Sequence, residues 1–481
     1  MPSIPAAPCR TSTIGHEARG TAMTLTLCAL LACAAARAGT VQVDSLSDSG
    51  TGSLRQAIAS ASAGDDIVFA PGLAGTVYLD SPLAMDKALH VAGSGIVLDG
   101  RDNVRVLNVT GGAQVTLDGL TVQHGHAFAG GGISIAGSLV LNACTVRDNH
   151  ADDNGGGISM SGGSFTLTAS DVTNNDAIGQ GGGIFIDAGT TTSRIDSSTI
   201  AGNQAGSAGA GISHVSGTPL TISFSHITGN TLNSASNTLG GGINTQDGPL
   251  TVSDSTISGN KAFFAGGIIV RRNSQPSTLV LERSLISGNT ATSDGGGVFV
   301  FGGTLVGTNS TIAYNLAGTA TGGGMSIQNT GAFSAFVALT HTTVAFNRSS
   351  SNGGGITLIS GSLSLKNSLL GGNTAASNPD LQGSFTSQGY NLVQARGSST
   401  GYVPSDLPNT ANPALAALAF NGGPTSTLRP QAGSAAINAV VAANCSGIVE
   451  DQRRYRRPAG NCDIGAYDTE GIAVLFADGF E

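Results

Sequence analysis

The chain has 481 residues, of which 72 are glycine and none is tryptophan, and its formal net charge is −9 at pH 7. The glycines occur in clusters rather than at every third position, which excludes collagen, and 40% hydrophobic residues can bury a core, which argues against a disordered chain. The excess of acidic residues argues against nucleic acid or an anionic membrane as a partner. Abundant Gly, Ser, Thr and Asn favour an all-β chain with many tight turns.

Residues 1–38 are predicted to be a secretory signal peptide. The segment MTLTLCALLACAAARA holds an apolar run and ends in an A-x-A cleavage pattern. Met23 is an alternative start, and LLAC is also compatible with a lipobox that would make Cys33 a lipidated N-terminus. The run is too short for a transmembrane helix, and no later segment reaches 18 consecutive apolar residues, so we expect no transmembrane segment in the mature chain. Removal of these residues leaves 18 Lys and Arg against 29 Asp and Glu, a formal charge of −11.

Residues 39–104 are assigned to an N-terminal cap and the first irregular coils. In GSLRQAIASA, Ser53 and Gln56 form a predicted capping box that opens an amphipathic helix. The apolar face of this helix comprises Leu54, Ala57, Ile58 and Ala61. Such a cap would cover the open edge of a parallel sheet.

Residues 105–376 contain a repeat marked by glycine clusters, from GGGISI at 130–135 to GGGITL at 353–358. An apolar residue follows each cluster, and these residues recur at spacings of 25 to 31. They are Ile133, Ile158, Ile184, Ile212, Ile243, Ile268, Val298, Met325 and Ile356. Alternating segments such as SLVLNAC lie between the clusters and predict short strands.

A second motif ends in asparagine and runs in phase with the glycine clusters. Its asparagines, predicted to form a structural ladder, are Asn149, Asn175, Asn203, Asn230, Asn260, Asn289, Asn315, Asn347 and Asn373. A degenerate tenth copy has Gly125 at the asparagine position. One coil cannot bury its own apolar face, whereas stacked coils bury a continuous column. The sequence therefore predicts an all-β, single-stranded, right-handed parallel β-helix of about ten regular coils.

After the last asparagine the repeat fades, and residues 377–470 are predicted to form a loop-rich C-terminal module. Three cysteines remain after signal cleavage. Cys445 and Cys462 lie 17 residues apart in this module and are expected to pair, since export permits disulfides. Cys144 is then a buried free thiol, at a repeat position where other coils mostly carry serine. The final residues, 471–481, are assigned to a C-terminal tail.

Basic residues are concentrated in the segment EDQRRYRRP of this module. The charged groups are Arg453, Arg454, Arg456 and Arg457, close to Glu450, Asp451 and Asp463. Such mixed charges favour a local salt-bridge network over an anion-binding patch.

Several motifs resemble known exported bacterial proteins. The head VDSLSDSGTGSLRQAIASASAGDDIVF resembles that of exported β-helix proteins with the pectin-lyase-like fold, and the GGGI and I-x-x-N repeats resemble polymorphic outer membrane proteins. The C-terminal segment is similar to the choice-of-anchor Q module, matched by Asp451, Gln452, Arg453, Arg457, Pro458, Cys462, Asp463, Ile464, Gly465, Ala466 and Tyr467. Two departures are Arg454, where the pattern usually has Gly, and Asp468, where it usually has Glu. The resemblance implies a secreted or cell-surface protein of a Gram-negative bacterium.

The best candidate for chemistry lies in the turn loops near residues 124–180. In phase with the repeat, His126, His150 and Asp176 follow the asparagine position on consecutive coils. Asp152 and Asp153 lie in the same loop as His150. Parallel coils about 4.8 Å apart would bring these side chains together. We assign Asp152, Asp153 and His150 as candidate catalytic residues and His126 and Asp176 as candidate binding residues; the competing interpretation is a solvated polar turn.

Three candidate functions follow. The leading prediction is a non-catalytic exported or surface protein that acts in adhesion, glycan contact or surface display, as a monomer without metal or cofactor. The third and weakest is a module that binds a specific receptor. The alternative is a polysaccharide lyase or glycoside hydrolase centred on these loops, for which Ca²⁺ would be the expected ion. A lyase also needs a basic residue, but Arg271 and Arg272 lie at a different turn from the acidic loop.

Overall fold

The computed structural model describes residues 39–234, 236–445 and 447–473. The predicted signal peptide, residues 1–38, and most of the predicted tail lie outside these ranges. Within them the chain winds into a solenoid in which strands of consecutive turns pair in parallel and build four long sheets. We number these sheets in the order in which a regular coil visits them.

The first and second sheets carry the alternating segments of each coil. The first sheet has 14 strands: Thr40–Val43, Asp65–Phe69, Leu89–Ala92, Gln114–Asp118, Ser138–Asn142, Gly163–Thr168, Thr190–Asp196, Leu220–Ser223, Pro249–Ser253, Thr278–Glu282, Thr304–Thr308, Phe336–Thr340, Ser362–Lys366 and Thr386–Ser387. The second sheet has 13: Gly75–Tyr78, Ile96–Asp99, Thr121–Gln123, Thr145–Arg147, Asp171–Thr173, Thr199–Ala201, His226–Thr228, Thr256–Ser258, Leu285–Ser287, Thr311–Ala313, Thr343–Ala345, Leu369–Gly371 and Leu392–Val393.

The third and fourth sheets flank the glycine clusters. The third sheet has nine two-residue strands: His126–Ala127, His150–Ala151, Asp176–Ala177, Gln204–Ala205, Thr231–Leu232, Lys261–Ala262, Thr290–Ala291, Leu316–Ala317 and Arg348–Ser349. The fourth has 12: Leu83–Met85, Leu107–Val109, Ile133–Ile135, Ile158–Met160, Ile184–Ile186, Ile212–His214, Ile243–Gln246, Ile268–Arg271, Val298–Phe301, Met325–Gln328, Ile356–Leu358 and Leu381–Gln382.

Period-two alternation directs the apolar side chains inward. In Ser138–Asn142, Leu139 and Leu141 are buried, whereas Val140 between them is half-buried on the outer face. The same pattern in successive coils builds one continuous core along the solenoid. Burial of each such side chain contributes about 1.5–3 kcal/mol relative to exposure. The apolar core shared by the stacked coils is therefore the main source of the stability of the solenoid.

The glycine clusters are required by close approach between coils. The first glycine of a cluster has a left-handed backbone, as at Gly181 with φ 65°. The third glycine packs directly on the next coil: a Cβ on Gly183 would lie 2.6 Å from the carbonyl oxygen of Gly211 and 3.0 Å from Nδ2 of Asn203. A larger residue therefore cannot enter without separating two coils.

The solenoid has about 14 turns, as counted on the first sheet, so the prediction of about ten coils was too low. The additional strands lie at both ends, for example Thr40–Val43 and Thr386–Ser387. They pair in parallel with their neighbours but carry neither a glycine cluster nor a ladder asparagine. Backbone pairing needs no particular side chain, so motif counting misses such turns.

Two helices lie within the described residues, Leu54–Ser60 and Ala442–Cys445. Ser53 caps the first helix by accepting a hydrogen bond from the Gln56 backbone N–H. That this helix covers the open end of the solenoid stays a prediction. In the part of the chain that the structure describes, no helix has the length and apolar character needed to cross a membrane.

The C-terminal segment packs against the solenoid. Cys445 and Cys462 form a disulfide, and Cys144 is free and buried. The short strands Tyr455–Arg456 and Ile472–Ala473 pair antiparallel.

The basic residues of this segment form a largely internal network. The Arg453 guanidinium lies 2.6 Å from the buried carboxylate of Asp451, and Arg457 lies 3.2 Å from that of Asp468. Arg457 also donates a hydrogen bond to Oδ1 of Asn309 in the solenoid, at 2.9 Å. Three of the four arginines are thus paired, as a salt-bridge network requires, but their partners are Asp451, Asp254 and Asp468 rather than Glu450 or Asp463.

Candidate functional site

The residues after the ladder position line up on the third sheet. His126 pairs with His150, and His150 pairs with Asp176, in one parallel register. Parallel pairing sets equivalent side chains of neighbouring strands about 4.8 Å apart. The two imidazole rings accordingly have their centroids 5.1 Å apart, with an interplanar angle of 68°.

Asp152 and Asp176 lie beside the two histidine rings and pair with them. Oδ1 of Asp152 lies 3.1 Å from Nε2 of His126 and 3.5 Å from Nε2 of His150. On the far side, Nδ1 of His150 lies 3.0 Å from Oδ2 of Asp176. We call His126, Asp152, His150 and Asp176 the His–Asp row.

The hydrogen bond between His126 and Asp152 favours the charged forms of both side chains. The hydrogen bond with Asp152 raises the pKa of His126, and the same bond lowers the pKa of Asp152. The Asp152 side chain is 50% exposed. A carboxyl group that acts as a general acid needs the opposite, a pKa raised by burial. The row is therefore better suited to binding than to acid catalysis.

Asp153 is not part of the row. Its carboxylate accepts a hydrogen bond from Nδ2 of Asn154 at 2.9 Å. Within the described ranges Asp153 forms no ion pair with either histidine. The structure thus places four of the five candidate site residues together and Asp153 apart from them.

His124, which lies just before this turn in sequence, belongs to a separate cluster. Its Nδ1 is 2.9 Å from Oδ2 of Asp99, a buried carboxylate that also accepts a hydrogen bond from Gln123. His124 has a left-handed backbone, with φ 50°. It contributes to the turn rather than to the row.

A second site, which sequence reasoning missed, lies several coils further along. It is a cleft of about 390 Å³ between the outer face of the fourth sheet and the turns beside it. We call it the aromatic cleft; its lining residues are Asn237, Leu239, Phe264, Ile269, Arg271, Phe299, Phe301 and Gln328. The ring centroids of Phe264 and Phe299 are 5.9 Å apart, and those of Phe299 and Phe301 are 5.5 Å apart.

The aromatic cleft contains a cation available to a ligand. Arg271 is half-buried at its edge, and among the described residues its guanidinium has neither an ion pair nor a side-chain hydrogen bond. The next residue differs, because the Arg272 guanidinium stacks 4.0 Å from the centroid of the Phe333 ring. Only Arg271 of this pair lines the cleft.

A weak signal for this cleft is present in the repeat. One outward position of the fourth sheet carries Ser213, Asn244, Ile269, Phe299 and Ser326 on consecutive coils. The change from polar to apolar residues over two coils marks a local apolar surface. The sequence does not indicate which turns would lie over it.

Comparisons with known proteins bear on the fold. A family model described as "Right handed beta helix region" matches residues 87–278. The fold is a right-handed parallel β-helix. No curated protein matches this chain. A solved structure titled "Crystal structure of pectate lyase Pel9A" is 14% identical with a TM-score of 0.39, and the alignment covers 90% of this chain and 97% of that one.

Proposed function

We propose that this β-helix is an exported, non-catalytic surface protein of a Gram-negative bacterium that binds acidic glycans through the aromatic cleft. One observation carries the proposal: Arg271, without a side-chain partner in the described part of the chain, lies in a cleft whose lining includes the half-buried Phe264 and Phe301 above the buried Phe299. An aromatic surface next to a free cation suits a ligand that has both an apolar face and an anionic group.

The chemistry of the lining favours a sugar acid over other anions. Phenylalanine rings pack against the C–H face of a sugar ring, and the guanidinium pairs with a carboxylate in a fixed fork geometry. The amides of Asn237 and Gln328 supply donors and acceptors for hydroxyl groups. A fatty acid would leave these amides without partners, and a neutral sugar would leave Arg271 without one.

The experiment is a titration of the secreted protein with three probes: an oligomer of a uronic acid, a neutral oligosaccharide of equal length and an alkyl carboxylate. We expect saturable binding of the uronic acid oligomer only. Arg271→Gln should weaken it about tenfold or more, since hydrogen bonds to a charged group contribute about 1.5–3 kcal/mol. Phe301→Ala should weaken it as well.

Two control variants keep this test specific. Arg194→Gln removes an exposed arginine of the first sheet, and Phe420→Ala removes a phenylalanine that is 75% exposed outside the cleft. Neither should change the affinity. Equal binding of all three probes, or an Arg271→Gln variant that binds as tightly as the parent, would disprove the proposal.

The alternative, a lyase or hydrolase centred on residues 124–180, has the His–Asp row as its candidate site. It is tested by incubating the protein with pectin, alginate and other uronides and measuring unsaturated products. Activity that disappears in Asp152→Ala would favour the alternative. Activity that survives in both Asp152→Ala and Asp153→Ala would place the catalytic residues elsewhere.

A further inference from the structure

We propose that the His–Asp row contains a binding site for a divalent transition metal ion of the zinc type, with one ring nitrogen each of His126 and His150 and a carboxylate oxygen of Asp152 as ligands. These three atoms lie within 4.8 Å of one another. The proposal concerns a different part of the β-helix from the aromatic cleft and does not depend on glycan binding. It departs from the sequence-based expectation of a chain without metal.

The separations match those of a metal coordination shell. Zinc binds imidazole nitrogen and carboxylate oxygen at about 2.0–2.2 Å, so neighbouring ligands of a tetrahedral ion lie about 3.3 Å apart. The Nε2 atoms of His126 and His150 are 3.1 and 3.5 Å from Oδ1 of Asp152. Only the distance between the two histidine nitrogens has to shorten, by at most about 1.5 Å. Rotation of two half-exposed rings can accomplish that.

The surroundings of the ligands orient them as a metal site requires. A histidine that binds a metal through one ring nitrogen usually donates the other N–H to a carboxylate or a backbone carbonyl. His150 has such a partner, since its Nδ1 is 3.0 Å from Oδ2 of Asp176. The His150 ring is thus held from outside the group of three ligands.

The donor set also selects the class of ion. Two imidazoles and one carboxylate suit Zn²⁺ and its neighbours among the transition metals, whereas Ca²⁺ and Mg²⁺ prefer oxygen ligands. Because the Asp152 side chain is 50% exposed, any further coordination position faces solvent. Binding would replace the proton of the hydrogen bond between Nε2 of His126 and Oδ1 of Asp152.

The test is a calorimetric titration of tag-free, EDTA-treated protein with Zn²⁺, repeated with Co²⁺ to record its visible absorption. We expect one saturable site per chain and the intense Co²⁺ bands of a low-coordinate nitrogen and oxygen environment. Asp176→Asn, which removes an outer partner, should weaken binding about 10–100-fold. His150→Gln and Asp152→Asn should weaken it further than that.

Asp153→Asn is the matched control, because it removes a carboxylate adjacent in sequence that lies outside the row. It should bind Zn²⁺ as tightly as the parent. Circular dichroism verifies that each variant is folded, which the exposure of the row favours. Absence of a saturable site in the parent would overturn the proposal. Binding that persists unchanged in both His150→Gln and Asp152→Asn would overturn it too, since the ion would then lie elsewhere.

Discussion

The side-chain oxygen of Asn203 accepts two hydrogen bonds from Asn175, one from its backbone N–H and one from its Nδ2, each at 3.0 Å. The Nδ2 of Asn203 in turn donates to the backbone oxygen of Val172 and to Oδ1 of Asn230, both at 2.9 Å. Both asparagines are fully buried. The ladder therefore joins each coil to its neighbours through amides that cannot exchange protein partners for water.

Asn203→Ala should destabilise the β-helix strongly. The change leaves the buried backbone N–H of Asn175 without its acceptor, and its Nδ2 keeps only the bond to the Val146 oxygen. Each buried polar group left unpaired costs about 1–3 kcal/mol. We expect a loss of at least about 2 kcal/mol in the free energy of unfolding, measured by guanidinium denaturation. Asn233→Ala, at an exposed position of the following turn, serves as the control and should change little.

Gly183→Ala should be at least as damaging, for a steric reason. The added Cβ would lie 2.6 Å from the carbonyl oxygen of Gly211. Overpacking of this kind typically costs about 1–3 kcal/mol. Gly331→Ala adds a Cβ with no neighbour within 4 Å and no positive φ, so it should leave the thermal unfolding midpoint unchanged. Equal midpoints for both variants would contradict the close packing described for the glycine clusters.

Arg454 combines backbone strain with an ion pair. Its φ is 64°, and its Nε and Nη2 each lie 2.9 Å from a carboxylate oxygen of Asp254, which is 1% exposed and also binds Arg283. Arg454→Ala loses the ion pair and keeps the strain, whereas Arg454→Gly loses the pair and relieves about 1–2 kcal/mol of strain. We therefore expect the glycine variant to be the more stable of the two in chemical denaturation. The reverse order would show that this residue is not left-handed.

His90 should make stability depend on pH. Its hydrogen bond with Asp118 is the largest cause of a raised pKa; burial opposes the shift, and Asp66 adds to it. Because the folded-state pKa lies above the usual 6.5, the pairing stabilises the fold fully below pH 6.5, and this stabilisation is lost as pH rises through the raised pKa. His90 and both carboxylates are more than a third exposed, so solvent screening keeps the effect small.

The measurement for His90 compares thermal unfolding midpoints of the parent and His90→Gln at about pH 5.5 and about pH 8.5. The gap between the two proteins should be wider at the lower pH. The control is His226→Gln, which removes an exposed histidine of the second sheet that forms no ion pair within the described residues. A gap that is the same at both pH values would contradict the pairing.

The sequence by itself determined the regular part of this fold. Each ladder asparagine and each glycine cluster makes the same contacts with the next coil. Residues at equivalent positions of the repeat therefore lie in register on neighbouring coils. For this reason the repeat alone is enough to align His126, His150 and Asp176 in one column: they follow the ladder position, and parallel pairing maintains their order.

The tertiary structure alone decided the remaining features. Whether Asp152 or Asp153 contacts the histidines depends on the backbone direction within a short turn, which the repeat does not specify. The aromatic cleft depends on side chains from several coils lying beneath a neighbouring turn, and the turns at the two ends pair through backbone groups that leave no motif. The contact of Arg454 with Asp254 joins residues 200 positions apart. A repeat encodes contacts between equivalent positions, whereas these contacts join positions that are not equivalent.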